Sequence, residues 1–476
     1  MRHSIENQPS YSFGHTAMWA TGETGTPVIN VNYTGANKNT SVPGPAADAY
    51  LNLTIVPALQ DDEFALTLEM IPGLGRYYSD LGFLPTRARL IQIPTVPQGS
   101  VTYGYPATDA AAKLLPEHIA RLPADARVVS TFHCEYVQRD LDRHGLRALE
   151  RPPAHLVNNK ASLRGAANDN SFDMLPGAVL SSESDLHDVV SRFGNSAYGV
   201  WLKFPTGSGG DLVYHVAEVS EASLREGIAT IRRSVHQSFV EGDFGMTGSQ
   251  YWPEDRFAPE GLKLVAEADA RNLGTLELNG STQLVTTRSG GIYFKGHYRQ
   301  ETSALGEYQG NSPLSVDNTH DASMHNLIWD QVKSVGAYNQ KDNGYFGIQG
   351  VDWFLIRLPD GTQRVYVVEL NARPTANTPP QIMADKIGAA AWLNINATAP
   401  SIMTCAEDYI EIVGRGLAFG EASGEGLVVP QAFRSIVTRD NGILASDRVK
   451  LFIAGRDDGH INGIRRRLSD RGFVFV

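Results

Sequence analysis

Residues 350–373 read GVDWFLIRLPDGTQRVYVVELNAR, and this stretch decides how the rest of the sequence is interpreted. Two apolar runs, Val351–Leu358 and Val365–Leu370, flank Asp360-Gly361. That dipeptide is typical of a two-residue turn between antiparallel strands, so the stretch predicts a β-hairpin.

Counting outward from that turn places Asp352 opposite Glu369 on one face of the hairpin. Side chains alternate along a strand, so Asn371 and Arg373 share the face of Glu369. Facing carboxylates repel each other unless a cation lies between them, and Mg²⁺ prefers carboxylate and amide oxygens. The sequence therefore predicts a metal site formed by Asp352, Glu369 and Asn371. Arg373 would bind a phosphoryl or carboxylate group.

A surface hairpin whose charges face water is the simpler alternative. The run VYVV at 365–368 is apolar on both faces, which predicts a buried central strand. Buried strands rarely end in carboxylates without a partner, and this favours the metal site. Pro359 is the residue most able to introduce a bulge and change the pairing.

The composition is that of a soluble globular protein with more than one domain. The chain has 476 residues, of which 42% are hydrophobic and 20% charged, and its net charge is −11. This charge argues against nucleic acid or an anionic membrane as a partner. Cys134 and Cys405 are too far apart in sequence to indicate a zinc cluster or disulfide framework. With no apolar run of transmembrane length and no signal segment, we expect a cytoplasmic protein.

Three units are predicted: an α/β domain at 1–151, a second unit at 152–400 and a small αβ unit at 401–476. The second unit contains a meander of strands at 276–298, which the glycines at 280 and 290–291 are expected to break. The predicted strands are Ala88–Ile93, Ala126–Phe132, Tyr198–Phe204, Leu262–Glu267 and Val449–Ile453. The predicted helices are Ala107–Arg121, Ala222–Phe239, His320–Asn339, Pro380–Leu393 and Ile461–Asp470.

A second chemical signal is Lys203, which is followed by the glycine-rich run TGSGG at 206–210. It is not a P-loop, because no Gly-Lys-Ser/Thr ends the run. A glycine-rich turn can direct backbone N–H groups at phosphates while a strand lysine adds a cation. A flexible turn beside a lysine that extends to solvent is the alternative.

In order and spacing, these features resemble the ATP-grasp fold of carboxylate–amine ligases, a mixed α/β fold. The resemblance covers about residues 152–400 and is most specific at Glu369-Asn371-Arg373. It implies that Lys160 and Lys203 contact the phosphates of ATP. The implied phosphate-covering residues are Ser208, Gly209 and Gly210.

The resemblance also implies an adenine hinge and a metal centre. The hinge would contain Val265, Ala266 and Glu267, with Glu277 as a ribose ligand. The carboxylates and amide of the hairpin would hold two Mg²⁺, and Arg373 would stabilise the transferred phosphoryl group.

A narrower resemblance links two stretches to pheganomycin-type peptide ligases. These are LNGSTQ at 278–283 and GEYQG at 306–310. Such ligases carry an α/β domain before the ATP-grasp unit and a small domain after it, which is the three-part layout predicted here.

The function implied is an ATP-dependent ligase that joins an amino acid or peptide carboxylate to an amine through an acyl phosphate. The expected catalytic residues are Arg373, Lys203 and Arg299, and Arg299 with His297 could instead be polar side chains at a strand end. The expected partners are small molecules, and the sequence leaves a homodimer open. A carboxylase-like ATP-grasp enzyme and a catalytically silent ATP-binding regulator are the alternatives.

Overall fold

The protein is described by a computed structural model. The residues it describes are 12–30, 52–68, 70–93, 116–130, 141–149, 157–182, 184–205, 213–240, 264–302, 308–314, 319–420, 426–434, 437–438 and 444–475. Among these residues, no helix combines the length and apolar character needed to cross a bilayer.

The first part of the chain forms a parallel sheet of four strands in the order β3-β2-β1-β4. The strands are β1 (Thr26–Asn30), β2 (Phe64–Leu68), β3 (Arg89–Ile93) and β4 (Ala126–Ser130). The helices are α1 (Phe13–Thr21), α2 (Leu74–Asp80) and α3 (Pro116–Ile119). The predicted α/β character is confirmed. Of the predicted helix at 107–121, only the part from Pro116 is described; there the proline begins a helix, a position it favours.

A small antiparallel sheet follows, with strand order β5-β8-β6-β7. Its strands are β5 (Gly177–Leu180), β6 (Val200–Lys203), β7 (Val213–Val216) and β8 (Leu264–Ala268). The helices in this part are α4 (Lys160–Ala166), α5 (Ser184–Phe193) and α6 (Glu221–Val240). The predicted strands at 198–204 and 262–267 and the helix at 222–239 are confirmed to within a few residues.

A large sheet of ten strands contains the predicted hairpin, in the order β13-β12-β9-β10-β11-β14-β17-β15 with β16 on β17 and β18 on β14. Its strands are β9 (Thr275–Thr286), β10 (Ile292–Thr302), β11 (Tyr308–Pro313), β12 (Gly347–Arg357), β13 (Gln363–Asn371), β14 (Ala391–Met403), β15 (Leu427–Arg434), β16 (Val437–Thr438), β17 (Leu444–Gly455) and β18 (Val474–Phe475). The helices are α7 (Thr319–Asn343), α8 (Thr378–Ile387), α9 (Ala406–Val413), α10 (Arg415–Phe419) and α11 (Asp458–Asp470). The sheet runs through residue 400, where the sequence predicts a domain boundary, because β14 pairs with both β11 and β17.

Two details of this sheet differ from the sequence predictions. The predicted helix at 380–393 is wrong beyond Ile387, because Gly388 adopts a left-handed conformation (φ 62°) that ends α8, and β14 starts at Ala391. Gly280 does not break the meander but lies inside β9. Its missing side chain leaves room for the Trp353 ring, which a Cβ at that position would overlap.

Two buried tyrosines of α2, in the part of the chain that forms the parallel sheet, donate hydrogen bonds to backbone carbonyls at the β15 end of the large sheet. The hydroxyl of Tyr77 donates to the carbonyl of Ala418, and that of Tyr78 to the carbonyl of Pro430, each at 2.5 Å. Burial raises the pKa of both phenols, so they remain hydrogen-bond donors. The tyrosine pair therefore joins the first part of the chain to the large sheet.

Candidate functional site

The facing carboxylates predicted from the hairpin are confirmed, although the turn differs from the prediction. Asp352 pairs with Glu369 across β12 and β13. At the turn, however, Leu358 N–H donates to the carbonyl of Thr362, so the loop contains Pro359 as well as Asp360-Gly361. A loop that is one residue longer would shift the pairing of the two strands by one position. Val368 is an extra residue in β13 next to the Asp352–Glu369 pair, and this bulge restores the predicted pairing.

The apolar run before Glu369 does not lie in a central strand, because β13 is the last strand at one end of the large sheet. Its outer side is partly covered instead. Val367 N–H donates to the carbonyl of Asp173 at 2.7 Å, and Met174 forms a bridge to Val367. Both faces of β13 are buried as well, because Val365 and Val367 pack in one apolar cluster and Tyr366 packs in another.

Three predicted residues form one hydrogen-bonded cluster at the end of this hairpin. Asn371 Nδ2 donates to Asp352 Oδ2 at 3.2 Å, and Asn371 Oδ1 accepts from Arg373 Nη2 at 2.8 Å. Glu369 Oε1 accepts from Lys160 Nζ at 2.8 Å. Lys160 is the first residue of α4 and is 6% exposed, so the lysine predicted to bind phosphate meets the carboxylate predicted to bind metal.

The electrostatics of the cluster suit a cation. Burial and the negative charge of Glu369 raise the pKa of Asp352, and Ser281, Arg373 and Lys160 oppose the rise, so that the pKa is about 7. The negative charge of Asp352 is therefore disfavoured where it lies, and a bound cation would stabilise it. Together with the Asn371 oxygen, the two carboxylates supply the hard donors that Mg²⁺ takes. No group of three or more His, Cys, Asp or Glu side chains with metal-binding geometry occurs among the described residues, so the amide would have to complete the set.

A second cluster lies on the small antiparallel sheet. Lys203 at the end of β6 forms an ion pair with Glu267 Oε1, and Arg164 Nη2 forms one with Glu267 Oε2. Glu267 is 2% exposed. The predicted hinge glutamate is thus bound to the strand lysine, while Val265 and Ala266 are buried in β8 beside it.

Helix α4 connects the two clusters. Lys160 and Arg164 are one helical turn apart and point to the same side, yet they reach carboxylates on two different sheets. The backbone N–H of Lys160 also donates to the carbonyl of Pro205, just beyond β6, at 2.7 Å. Arg164 is not among the residues predicted from the sequence, although its four-residue spacing from Lys160 on a helix was an available signal.

Other predicted site residues are placed as follows. Ser208, Gly209 and Gly210 lie outside the described residues. Glu277 is engaged at the turn end of the hairpin, where it accepts hydrogen bonds from Arg357 Nε and Gln363 Nε2, each at 2.5 Å.

Arg299 lies on the other face of the sheet from Asp352. Strand alternation puts Arg299 and His297 on the face that α7 covers, with Trp353. Both ring nitrogens of His297 form hydrogen bonds. Nδ1 lies 2.7 Å from Thr282 Oγ1, and Nε2 lies 2.9 Å from His325 Nδ1. Burial lowers the pKa of His297 to about 3, as expected of a neutral side chain in a packed setting. The structure does not bring either residue to the metal-ligand cluster.

Polar side chains form a row that begins at Asp352 and crosses its face of the large sheet. None of the other residues in this row was predicted from the sequence. Gln300 on β10 donates to Asp352 Oδ1 at 3.1 Å, and Asn311 lies opposite Gln300 on β11. Asn394 on β14 lies opposite Asn311 and donates to its Oδ1 at 2.9 Å. Both asparagines are fully buried, and Asn311 Nδ2 and Asn394 Oδ1 lack hydrogen-bond partners in the described part of the chain.

No protein-family model matches the sequence, and no curated protein matches it either. Solved structures do. Pyruvate carboxylase of Rhizobium etli (T882A, with acetyl coenzyme-A) matches with a TM-score of 0.54 and 14% identity; the match covers 95% of this chain and 37% of that one. The chain thus spans little more than a third of that enzyme.

Two structures match over most of both chains. Biotin carboxylase of Campylobacter jejuni, in a β-γ-ATP complex, has a TM-score of 0.53 and 11% identity, with 95% and 92% of the two chains covered. The biotin carboxylase domain of Hydrogenobacter thermophilus 2-oxoglutarate carboxylase was solved with MgADP, ADP and bicarbonate. It matches with a TM-score of 0.51 and 12% identity, and the match covers 95% of this chain and 91% of that one. None of these three structures is a peptide ligase, so the narrower resemblance stays a proposal. At such identities the likeness concerns the fold: the chain has an ATP-grasp fold with an α/β region before it and a smaller αβ region after it.

Proposed function

We propose that this protein is an ATP-dependent ligase that joins a carboxylate to an amine through an acyl phosphate, releasing ADP and phosphate. The observation that carries the proposal is the cluster of Asp352, Glu369 and Asn371 with Lys160 and Arg373 in contact with it. Such a cluster combines hard oxygen donors with cations, which is what phosphoryl transfer from ATP requires. Lys203 on the neighbouring sheet adds a further cation.

In the proposed reaction, a carboxylate oxygen of the substrate attacks the γ-phosphorus of ATP, and the bond from that phosphorus to the β,γ-bridging oxygen breaks. The amine then attacks the acyl carbon, phosphate leaves, and the amine loses a proton. Lys160 and Lys203 would neutralise the phosphates of ATP, and Arg373 would bind the transferred phosphoryl group. Asp352, Glu369 and Asn371 would hold Mg²⁺, which neutralises charge on the phosphates when bound.

The acceptor we propose is an amino acid or short peptide, as in the pheganomycin-type ligases that the stretches at 278–283 and 306–310 resemble. The row of polar side chains from Gln300 to Asn394 continues directly from Asp352 and supplies hydrogen-bonding groups on that face of the sheet.

The test is ADP formation from Mg²⁺-ATP with a panel of amino acids and short peptides, with hydroxylamine present. Carboxylate-dependent ADP together with an acyl hydroxamate supports acyl-phosphate chemistry and identifies the electrophilic partner. AMP and pyrophosphate would mean adenylation and contradict the mechanism. ADP formed with bicarbonate alone would favour the carboxylase alternative, and ATP binding without any turnover would favour the silent regulator.

Glu369→Gln provides the mutational test of the metal assignment. It keeps the size of the side chain but removes one of the two anionic donors, so we expect turnover to fall by at least a hundredfold while the circular dichroism spectrum is unchanged. Glu411→Gln, a change of the same kind on α9, is the matched control. Full activity of Glu369→Gln would contradict the metal site.

A further inference from the structure

Glu267 is shared by two cations that come from different elements. Its Oε1 pairs with Lys203 of β6, and its Oε2 pairs with Arg164 of α4. Arg164 is itself held, because its Nη1 donates to the carbonyl of Leu175 at 2.7 Å. Gly177 lies opposite Glu267 on β5, and a Cβ there would approach Arg164 Cζ to 2.8 Å. The neighbouring strand thus leaves space for the guanidinium.

The three side chains together carry one net positive charge. Of the two cations, Lys203 is the one proposed to bind phosphate. For Lys203 to bind a phosphate, it must give up its contact with Glu267. The carboxylate it leaves is buried, and a buried carboxylate without a partner is strongly unfavourable. Arg164 occupies the second oxygen of the same carboxylate, so Glu267 remains paired when Lys203 moves.

We propose that Arg164 is a positioning residue: it keeps Glu267 neutralised so that Lys203 can transfer from that carboxylate to the phosphates of a nucleotide. This inference rests on the proposed nucleotide site. It assigns to α4 a second role, in addition to the Lys160 contact, and it makes Glu267 a holder of the strand lysine rather than a ligand of adenine.

The test compares four proteins: the parent and the double variant, whose triads carry one net positive charge, Arg164→Gln, whose triad is neutral, and Glu267→Gln, whose triad carries two. Binding of ATP and of adenosine is measured by calorimetry in EDTA, so that neither Mg²⁺ nor turnover contributes. Arg164→Gln leaves Glu267 paired with Lys203 alone, and we expect its Kd for ATP to rise about tenfold with the Kd for adenosine unchanged. Adding Glu267→Gln to Arg164→Gln frees Lys203 again, and the Kd for ATP is expected to return to within about twofold of the parent value. Glu267→Gln alone should bind ATP at least as tightly as the parent.

Arg225→Gln is the matched control, because it removes the same charge from an exposed ion pair with Glu221 on α6. It should leave both affinities unchanged. Equal weakening of ATP and adenosine in Arg164→Gln would indicate a purely structural role and overturn the inference. Failure of the double variant to recover ATP binding, with a circular dichroism spectrum like that of the parent, would also overturn it. Absence of ATP binding in the parent protein would instead contradict the proposed function itself, and the inference with it.

Discussion

At the scale of single residues, Asp352 carries a charge that the folded protein disfavours. Burial and the facing Glu369 raise the pKa of Asp352 from 3.8 to about 7. Between these two values the folded chain keeps a proton that the unfolded chain has lost. Stability therefore falls as pH rises through this window, and the penalty is complete above about pH 7. Asp352→Asn removes the penalty, so we expect its free energy of unfolding to gain about 3 kcal/mol more at pH 8 than at pH 5.

The measurement is urea unfolding of the metal-free and nucleotide-free protein in EDTA at both pH values. Asp188→Asn on α5 is the control, because Asp188 is exposed and should show no pH-dependent gain. If Asp352→Asn were equally stable relative to the parent at both pH values, the pKa of Asp352 would not be raised in the folded protein. If it lost stability at pH 8, the charge would already be compensated by Lys160 and Arg373.

At the scale of elements, the β12–β13 hairpin shows what sequence can and cannot predict. The turn dipeptide and the two apolar runs were sufficient to predict the hairpin and to place Asp352 opposite Glu369. The pairing is right only because an extra residue, Val368, offsets a turn that is one residue longer than predicted. Bulges depend on packing against neighbouring elements, here the segment at 173–174 that covers β13, and no local pattern in the sequence signals them.

The strand that pairs with the hairpin is β9, and Gly280 is the position in it that is most sensitive to substitution. The Trp353 ring lies against the Gly280 backbone and is fully buried on the α7 side of the sheet. Gly280→Ala would place a methyl group inside the ring, so we expect a loss of about 2–3 kcal/mol in the free energy of unfolding. Gly463→Ala on α11 is the control, because no atom lies within 4 Å of its Cβ and the helix should gain about 0.5–1 kcal/mol. Chemical denaturation of both variants gives the comparison, and a neutral Gly280→Ala would mean that the ring can move away.

At the scale of the whole molecule, the site depends on elements that are distant in sequence. Arg164 and Glu267 are 103 positions apart, and Lys160 and Glu369 are 209 apart. Local patterns in the sequence indicated Lys203 and the hairpin carboxylates as candidates, and the resemblance to ATP-grasp ligases added Lys160. The sequence could not show that α4 pairs with both sheets, or that Arg299 faces away from Asp352, since these follow from sheet order and strand register.

In addition to the tyrosine contacts of α2, one lysine links the first part of the chain to the rest of the molecule. Lys386, near the end of α8, donates to the carbonyls of Pro57, Leu59 and Phe83. Replacing it with methionine would leave three backbone acceptors without their cation, so we expect Lys386→Met to lose about 2–3 kcal/mol in the free energy of unfolding. Because these carbonyls belong to the first part of the chain, amide exchange should accelerate in β2 and β3 and stay unchanged in β9.

Lys333→Met is the control for that measurement, since Lys333 is exposed on α7 and its loss should alter neither stability nor exchange. Hydrogen exchange followed by mass spectrometry resolves the two sheets separately. The tyrosine contacts of α2 remain in the Lys386→Met variant, so its first sheet should loosen without detaching. Equal acceleration in β2 and β9 would mean that the molecule unfolds as one unit and that Lys386 does not hold the first sheet in particular. Unchanged exchange in both would mean that water replaces the three lysine contacts without loss.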